Sequence, residues 1–206
     1  MVARPLVAFA SAVLIFHLLP ALVGDPAADW IDLVTPFAVL GAAALVLRAV
    51  AARGLPVVAA AAAAILYVDG HGIHLAANSI KHEHPRGDVL SVANFWDEDW
   101  GHFEWHLGLF ILVAALCLAA RGAPVSLTAG IATAVLLGFT FFTITVEGGT
   151  WWLELAATAA FVPWALRARR PVLSSCAGAY ALGAMLIGIW AVWQGGVPEF
   201  SDIGWI

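Results

Sequence analysis

The feature that most constrains this chain is a series of seven apolar runs, each long enough to cross a bilayer: Pro5–Val23, Leu33–Ala52, Leu55–Ser79, Gly101–Ala120, Val125–Val146, Thr150–Arg167 and Val172–Gln194. A hydrocarbon core of about 30 Å takes about 20 residues of helix. Helix is also the open-ended structure that satisfies its own backbone in lipid, and no run alternates as a barrel strand does. The breaks are turn-formers and charges: Gly24-Asp25-Pro26, Arg53-Gly54, a polar stretch from Ile80 to Trp100, Arg121 to Pro124, Gly148-Gly149 and Arg169-Arg170-Pro171. The expected fold is therefore all-α, a single polytopic domain over 1–206 with seven transmembrane helices. The first run exceeds the 7–15 apolar residues of a signal peptide and reads as helix one.

Composition agrees: 63% of the 206 residues are hydrophobic and 11% charged, against about 25% charged in soluble domains. Nine Lys+Arg against fourteen Asp+Glu give a net charge of -5, which offers no basic surface to nucleic acid. Cations mark the cytoplasmic loops of membrane proteins. With the N-terminus inside, Arg4, Arg48, Arg53, Arg121, Arg167, Arg169 and Arg170 fall on the inner side, and Lys81 and Arg86 outside. The loop carboxylates, Asp25, Asp29, Asp32, Asp88, Asp97, Glu98, Asp99, Glu199 and Asp202 among them, fall outside with most of the tryptophans. This pattern puts the N-terminus in the cytoplasm, the C-terminus outside and the chain in the plasma membrane.

Ionisable groups within spans default to function. At 1.5 Å per residue, His71 and His74 lie about 24 and 28 Å along helix three from Leu55, near the outer surface, and His102 and His106 lie about 2 and 8 Å below that surface on helix four. His17, Glu147 and Glu154 share the band. Tyr67, His71, His74, Asn78 and His82 form one stripe, and Glu98, His102 and His106 another, by their three- and four-residue steps. Histidine pairs on facing helices at one depth are how bundles build metal sites. His71, His74, His102 and His106 are the expected metal ligands, with a buried hydrogen-bonded network or proton sensor as the alternative. Zinc is favoured, iron or copper fit equally well by ligand type, and a haem between two of the imidazoles is a further alternative.

His102-Phe103-Glu104-Trp105-His106 is not the HExxH protease motif, because Glu104 lies on the far side of the helix from both imidazoles. Glu104, Asp69, Asn78 and His17 are expected to orient the ligands from behind. Glu147 and Glu154 are the candidate catalytic bases. The polar stretch around Lys81–Arg86 and Asp97–Asp99, His82 and His84 apart, reads as a solvated outer loop, with capture of a metal or a lid over the site as the alternative, and Cys117 and Cys176 read as inert buried thiols.

Seven helices with an HxxxH pair, His102 and His106, and carboxylates near one leaflet resemble in architecture the zinc-dependent alkaline ceramidase and adiponectin-receptor hydrolases. That family carries its HxxxH on the last helix and this chain on the fourth, so the resemblance carries over no residue. The expected activity is metal-dependent hydrolysis of a membrane lipid or amphipathic small molecule reached from the outer leaflet. Its alternatives are a di-iron or copper oxidoreductase, and a metal or proton transporter or sensor.

Overall fold

A computed structural model describes residues 2–24 and 26–205. It is 82% helical, with no strand among those residues. The helices are α1 (Ala3–Val23), α2 (Ala27–Ala49), α3 (Leu55–His82), α4 (Asp88–Asn94), α5 (His102–Ala119), α6 (Leu127–Glu147), α7 (Trp151–Ala168) and α8 (Pro171–Gln194), with a π-helical stretch, Phe95–Gly101, joining α4 to α5. Asp25, counted above among the outer carboxylates, lies outside the described residues.

Among the described residues six helical segments are long and apolar enough to cross a membrane: α1, α2, α3, the continuous rod Asp88–Ala119, α6 and α8. The remaining run forms α7, whose 18 residues include Glu154 and Arg167. At 1.5 Å per residue it reaches about 27 Å, just short of a bilayer core. Large apolar side chains such as Phe37, Ile65, Val135 and Val192 are exposed on the outside of the bundle, as lipid-facing surfaces require.

The polar stretch from Ile80 to Trp100 is not a loop. Helix α3 continues to His82 and the next helix begins at Asp88, leaving only residues 83–87 outside helix. Pro85 and the left-handed backbone of His84 (φ 52) and Gly87 (φ 59) make that turn. Polar residues favour helix here because 28 residues of α3 span about 42 Å, beyond a hydrocarbon core.

Helices α3 and α5 pack together closely, as do α6 and α8, while α1 lies between α2 and α6 and α7 leans on α8. Glycines set the α3–α5 contact. A β-carbon on Gly70 would overlap the backbone nitrogen of Trp105, and one on Gly108 would lie 2.8 Å from Cα of Tyr67. One on Gly101 would lie 3.0 Å from the backbone nitrogen of His74. Small residues allow such backbone contact between membrane helices, where dispersion replaces the hydrophobic effect as the main attraction. The contact also fixes the histidines of α3 against those of α5.

Candidate metal centre

His71 and His74 project from the C-terminal half of α3, and His102 and His106 from the first turns of α5. The fifth participant is Asp97, 1% exposed, in the π-helical stretch. On an α-helix residues five apart point about 140° away from one another. In a π turn the hydrogen bond closes five residues back, and the amide of His102 bonds to the carbonyl of Asp97. That widened turn brings Asp97 round to the side of His102.

His74, Asp97 and His102 each offer one ligand atom, and these atoms lie within 4.8 Å of one another. A zinc ion with bonds of about 2.0–2.2 Å to such donors would need only small side-chain adjustments. Nδ1 of His74 lies 2.6 Å from Oδ1 of Asp97. The approach lacks hydrogen-bond geometry, and Nδ1 of His74, Oδ1 of Asp97 and Nδ1 of His102 are all buried without a hydrogen-bond partner. Polar atoms packed this way need a shared proton or a cation.

The other atoms of the cluster are held in place. Oδ2 of Asp97 accepts from Nζ of Lys81 at 2.8 Å, and the same ammonium pairs with Glu98. Oε2 of Glu98 is 3.4 Å from Nδ1 of His102, one helical turn on. His71 donates its Nε2–H to the backbone carbonyl of Asp32 at 2.7 Å, which leaves Nδ1 of the neutral ring with a lone pair and no partner. His106 contacts the Thr150 hydroxyl through Nδ1 at 2.6 Å, with Nε2 buried and unpartnered. A carbonyl or hydroxyl on one ring nitrogen, with the other left free, is the usual setting of a metal-binding imidazole. His17 is different. Its Nδ1–H donates to the Val13 carbonyl at 2.6 Å and its Nε2 accepts from the Tyr67 hydroxyl at 3.2 Å, so both nitrogens are used.

Trp105 joins these rings. Its indole lies 4.5 Å from the His71 ring, 5.0 Å from His106, 5.2 Å from His17, 5.4 Å from His74 and 5.8 Å from His102. The four expected ligands therefore gather round one side chain. His74 and His102 converge with Asp97, their rings 4.5 Å apart. His71 stands 6.3 Å from His74, and His106 stacks on His102 at 5.7 Å. Gly148 makes room for that stack, since a β-carbon there would lie 2.8 Å from Cγ of His102 and 2.9 Å from Cε1 of His106.

A cavity of about 480 Å³ opens beside the cluster. His17, His74, His102, His106, Asp32 and Glu147 line it, together with apolar side chains such as Leu18, Leu22, Phe139, Phe142 and Trp205. Glu147 reaches it from the end of α6, where Oε2 accepts the backbone amides of Phe200 (2.8 Å) and Ser201 (3.2 Å). Glu154 stands elsewhere, fully buried near Gly183 of α8, with both oxygens unpartnered. Asp69 is exposed, Asn78 and Glu104 are half-buried, and none of the three lines the cavity. Glu199, in the segment after α8, has its pKa pushed up to about 7, first by burial and then by Glu98, Glu147 and Asp202.

Asp97, Lys81, Asp32 and Trp105 were absent from the sequence-based site. Asp97 was hidden because α-helical spacing does not align it with His102. Lys81 falls four residues before Pro85 in what reads as loop. A carboxylate five residues before His102, in a run already carrying Glu98 on the histidine stripe, was the available signal.

No family model, curated protein or solved structure matches the chain. What the geometry offers is chemical: two imidazoles and a carboxylate within reach of one ion, two more imidazoles beside them, and an apolar cavity opening on the group.

Proposed function

We propose that this chain is an integral membrane metalloenzyme that holds one transition-metal ion, zinc by preference, at His74, Asp97 and His102, and hydrolyses an amphipathic, lipid-like molecule lodged in the adjoining cavity. The observation that carries the reading is the convergence of His74, Asp97 and His102, whose ligand atoms lie within 4.8 Å of one another, beside a largely apolar cavity. His74, Asp97 and His102 would hold the ion, which would supply Lewis-acid chemistry, making water acidic toward neutral pH. Glu147 and Asp32, both on the cavity wall, are the carboxylates positioned to take up its proton. Glu154 lies outside the cavity lining and is better suited to a structural place between α7 and α8. His71 and His106 act as neighbouring imidazoles that support the centre or extend its coordination.

In this reading α7 crosses the bilayer along with the six long apolar segments, with the N-terminus in the cytoplasm and the C-terminus outside. The seven inner-side arginines support that orientation, and the centre then faces the non-cytoplasmic side of the plasma membrane.

A redox reading has one observation in its favour: two histidines and a carboxylate are also the donor set of non-haem iron oxygenases, and His71 and His106 stand ready as ligands to a second ion. The haem alternative is weaker, because Trp105 occupies the space among the imidazoles. Elemental analysis and an absorption spectrum of the purified protein decide among these. One equivalent of zinc and a colourless sample are expected. Iron or copper moves the assignment to oxidation. No transition metal, or a content unchanged in His74→Ala and Asp97→Ala, overturns the proposal.

A further inference from the structure

We infer that the cavity beside the histidine cluster selects an amphiphile with a positively charged head, an amine joined to an apolar tail, over one headed by phosphate or carboxylate. This rests on the reading of that cavity as the substrate site.

The first observation is the charge of the wall. Asp32 and Glu147 are the two charged side chains lining the cavity, and they come from α2 and α6. Among the described residues no lysine or arginine lines it. The nearest cation of the cluster, Lys81, is engaged by Asp97 and Glu98. More acids stand nearby: Glu98, Glu147 and Asp202 crowd Glu199. A bound metal must be counted as well. Asp97 and Glu98 balance a divalent ion and one lining carboxylate balances Lys81, so a negative charge is left facing the cavity. Phosphate recognition uses arginine, lysine or helix amides, and the lining offers neither cation.

The second observation is a missing partner. Nε2 of His106 is buried in this wall, on a residue 1% exposed, with no hydrogen-bond partner. A polar head in the cavity would find partners among this imidazole and the lining carboxylates. Trp105 and Trp205 also line the cavity, and aromatic faces attract ammonium groups. Leu18, Leu22, Phe139 and Phe142 then receive the tail.

The test is calorimetric titration of the purified protein, in zwitterionic nanodiscs, with three water-soluble probes sharing one tail: hexylammonium, hexyl phosphate and hexanol. Hexylammonium is expected to bind at least tenfold more tightly than hexyl phosphate, with hexanol between them. Asp32→Asn and Glu147→Gln should each narrow that gap by several-fold. Asp32→Asn keeps the backbone carbonyl that holds His71, and Glu147→Gln keeps an oxygen for the amides of Phe200 and Ser201. Equal or tighter binding of hexyl phosphate overturns the inference, as does a gap unchanged in both variants. Metal content measured on the same samples separates the two claims: a metal-loaded protein that prefers phosphate fails here alone, and a metal-free protein that prefers ammonium fails only the metalloenzyme reading.

Discussion

The backbone amide of His102 donates to the carbonyl of Asp97, five residues earlier. This one hydrogen bond replaces an α-helical turn with a π turn and brings a carboxylate to the histidine pair of α3 and α5. π turns inside α-helices often mark functional sites, and here the turn completes a set of three donors.

Lys81 should matter to metal binding without touching the metal. Its ammonium holds Oδ2 of Asp97, leaving Oδ1 facing His74. Lys81→Met is expected to lower metal affinity about 10–100-fold, the usual effect of removing a group that orients a ligand. Competition with a calibrated chelator reads this directly, and unchanged affinity would place the Lys81 pairing outside the centre.

Two glycine substitutions should separate folding from site geometry. Gly70→Ala drives a methyl into the α5 backbone and should destabilise the protein by about 1–3 kcal/mol, as overpacking does. Gly148→Ala meets the rings of His102 and His106 instead. It should leave thermal stability nearer that of the parent while weakening metal binding. Melting curves and chelator competition on both variants make the comparison.

Tyr67→Phe tests whether His17 is structural. The Tyr67 hydroxyl is the donor to Nε2 of His17, and Tyr67 is fully buried. Its removal leaves a buried acceptor unsatisfied, at a cost of about 1–3 kcal/mol. Stability should fall while metal content stays at the parent value. Loss of metal would make His17 part of the coordination.

Glu199 should confer a pH dependence on the segment after α8. Its folded-state pKa is raised from 4.5 to about 7, so the folded form favours the proton. Docking of residues 195–205 is then strongest at low pH and weakens as pH rises between those two values, the range in which the released segment ionises more readily than the docked one. Hydrogen exchange of the Phe200 and Ser201 amides should be more protected at pH 5.5 than at pH 8, after correction for intrinsic rates. Glu199→Gln should abolish the difference.

Much of the architecture was legible from one dimension. Hydrophobic runs separated by Gly, Pro and Arg marked every long helix, because lipid demands apolar surface and internally satisfied backbones. The three- and four-residue steps of His71, His74, His102 and His106 placed four rings on facing helices at one depth, and α-helical geometry makes that arithmetic dependable. The same arithmetic failed at Asp97, where the helix departs from 3.6 residues per turn. It also failed for the stretch from Ile80 to Trp100, whose polar residues form helix beyond the apolar zone.

What the sequence determined by itself is an all-helical, lipid-facing bundle with imidazoles near one end, since burial of apolar surface and helical periodicity are local properties of the chain. Only the tertiary structure decided which groups meet. The choice of Asp97 over Glu104 and the gathering of rings around Trp105 depend on the π turn and on backbone contact at Gly70 and Gly108, and the separation of Glu154 from the cavity on its packing against Gly183 of α8. Contacts between segments far apart in sequence leave no period in the chain, so no spacing rule reaches them.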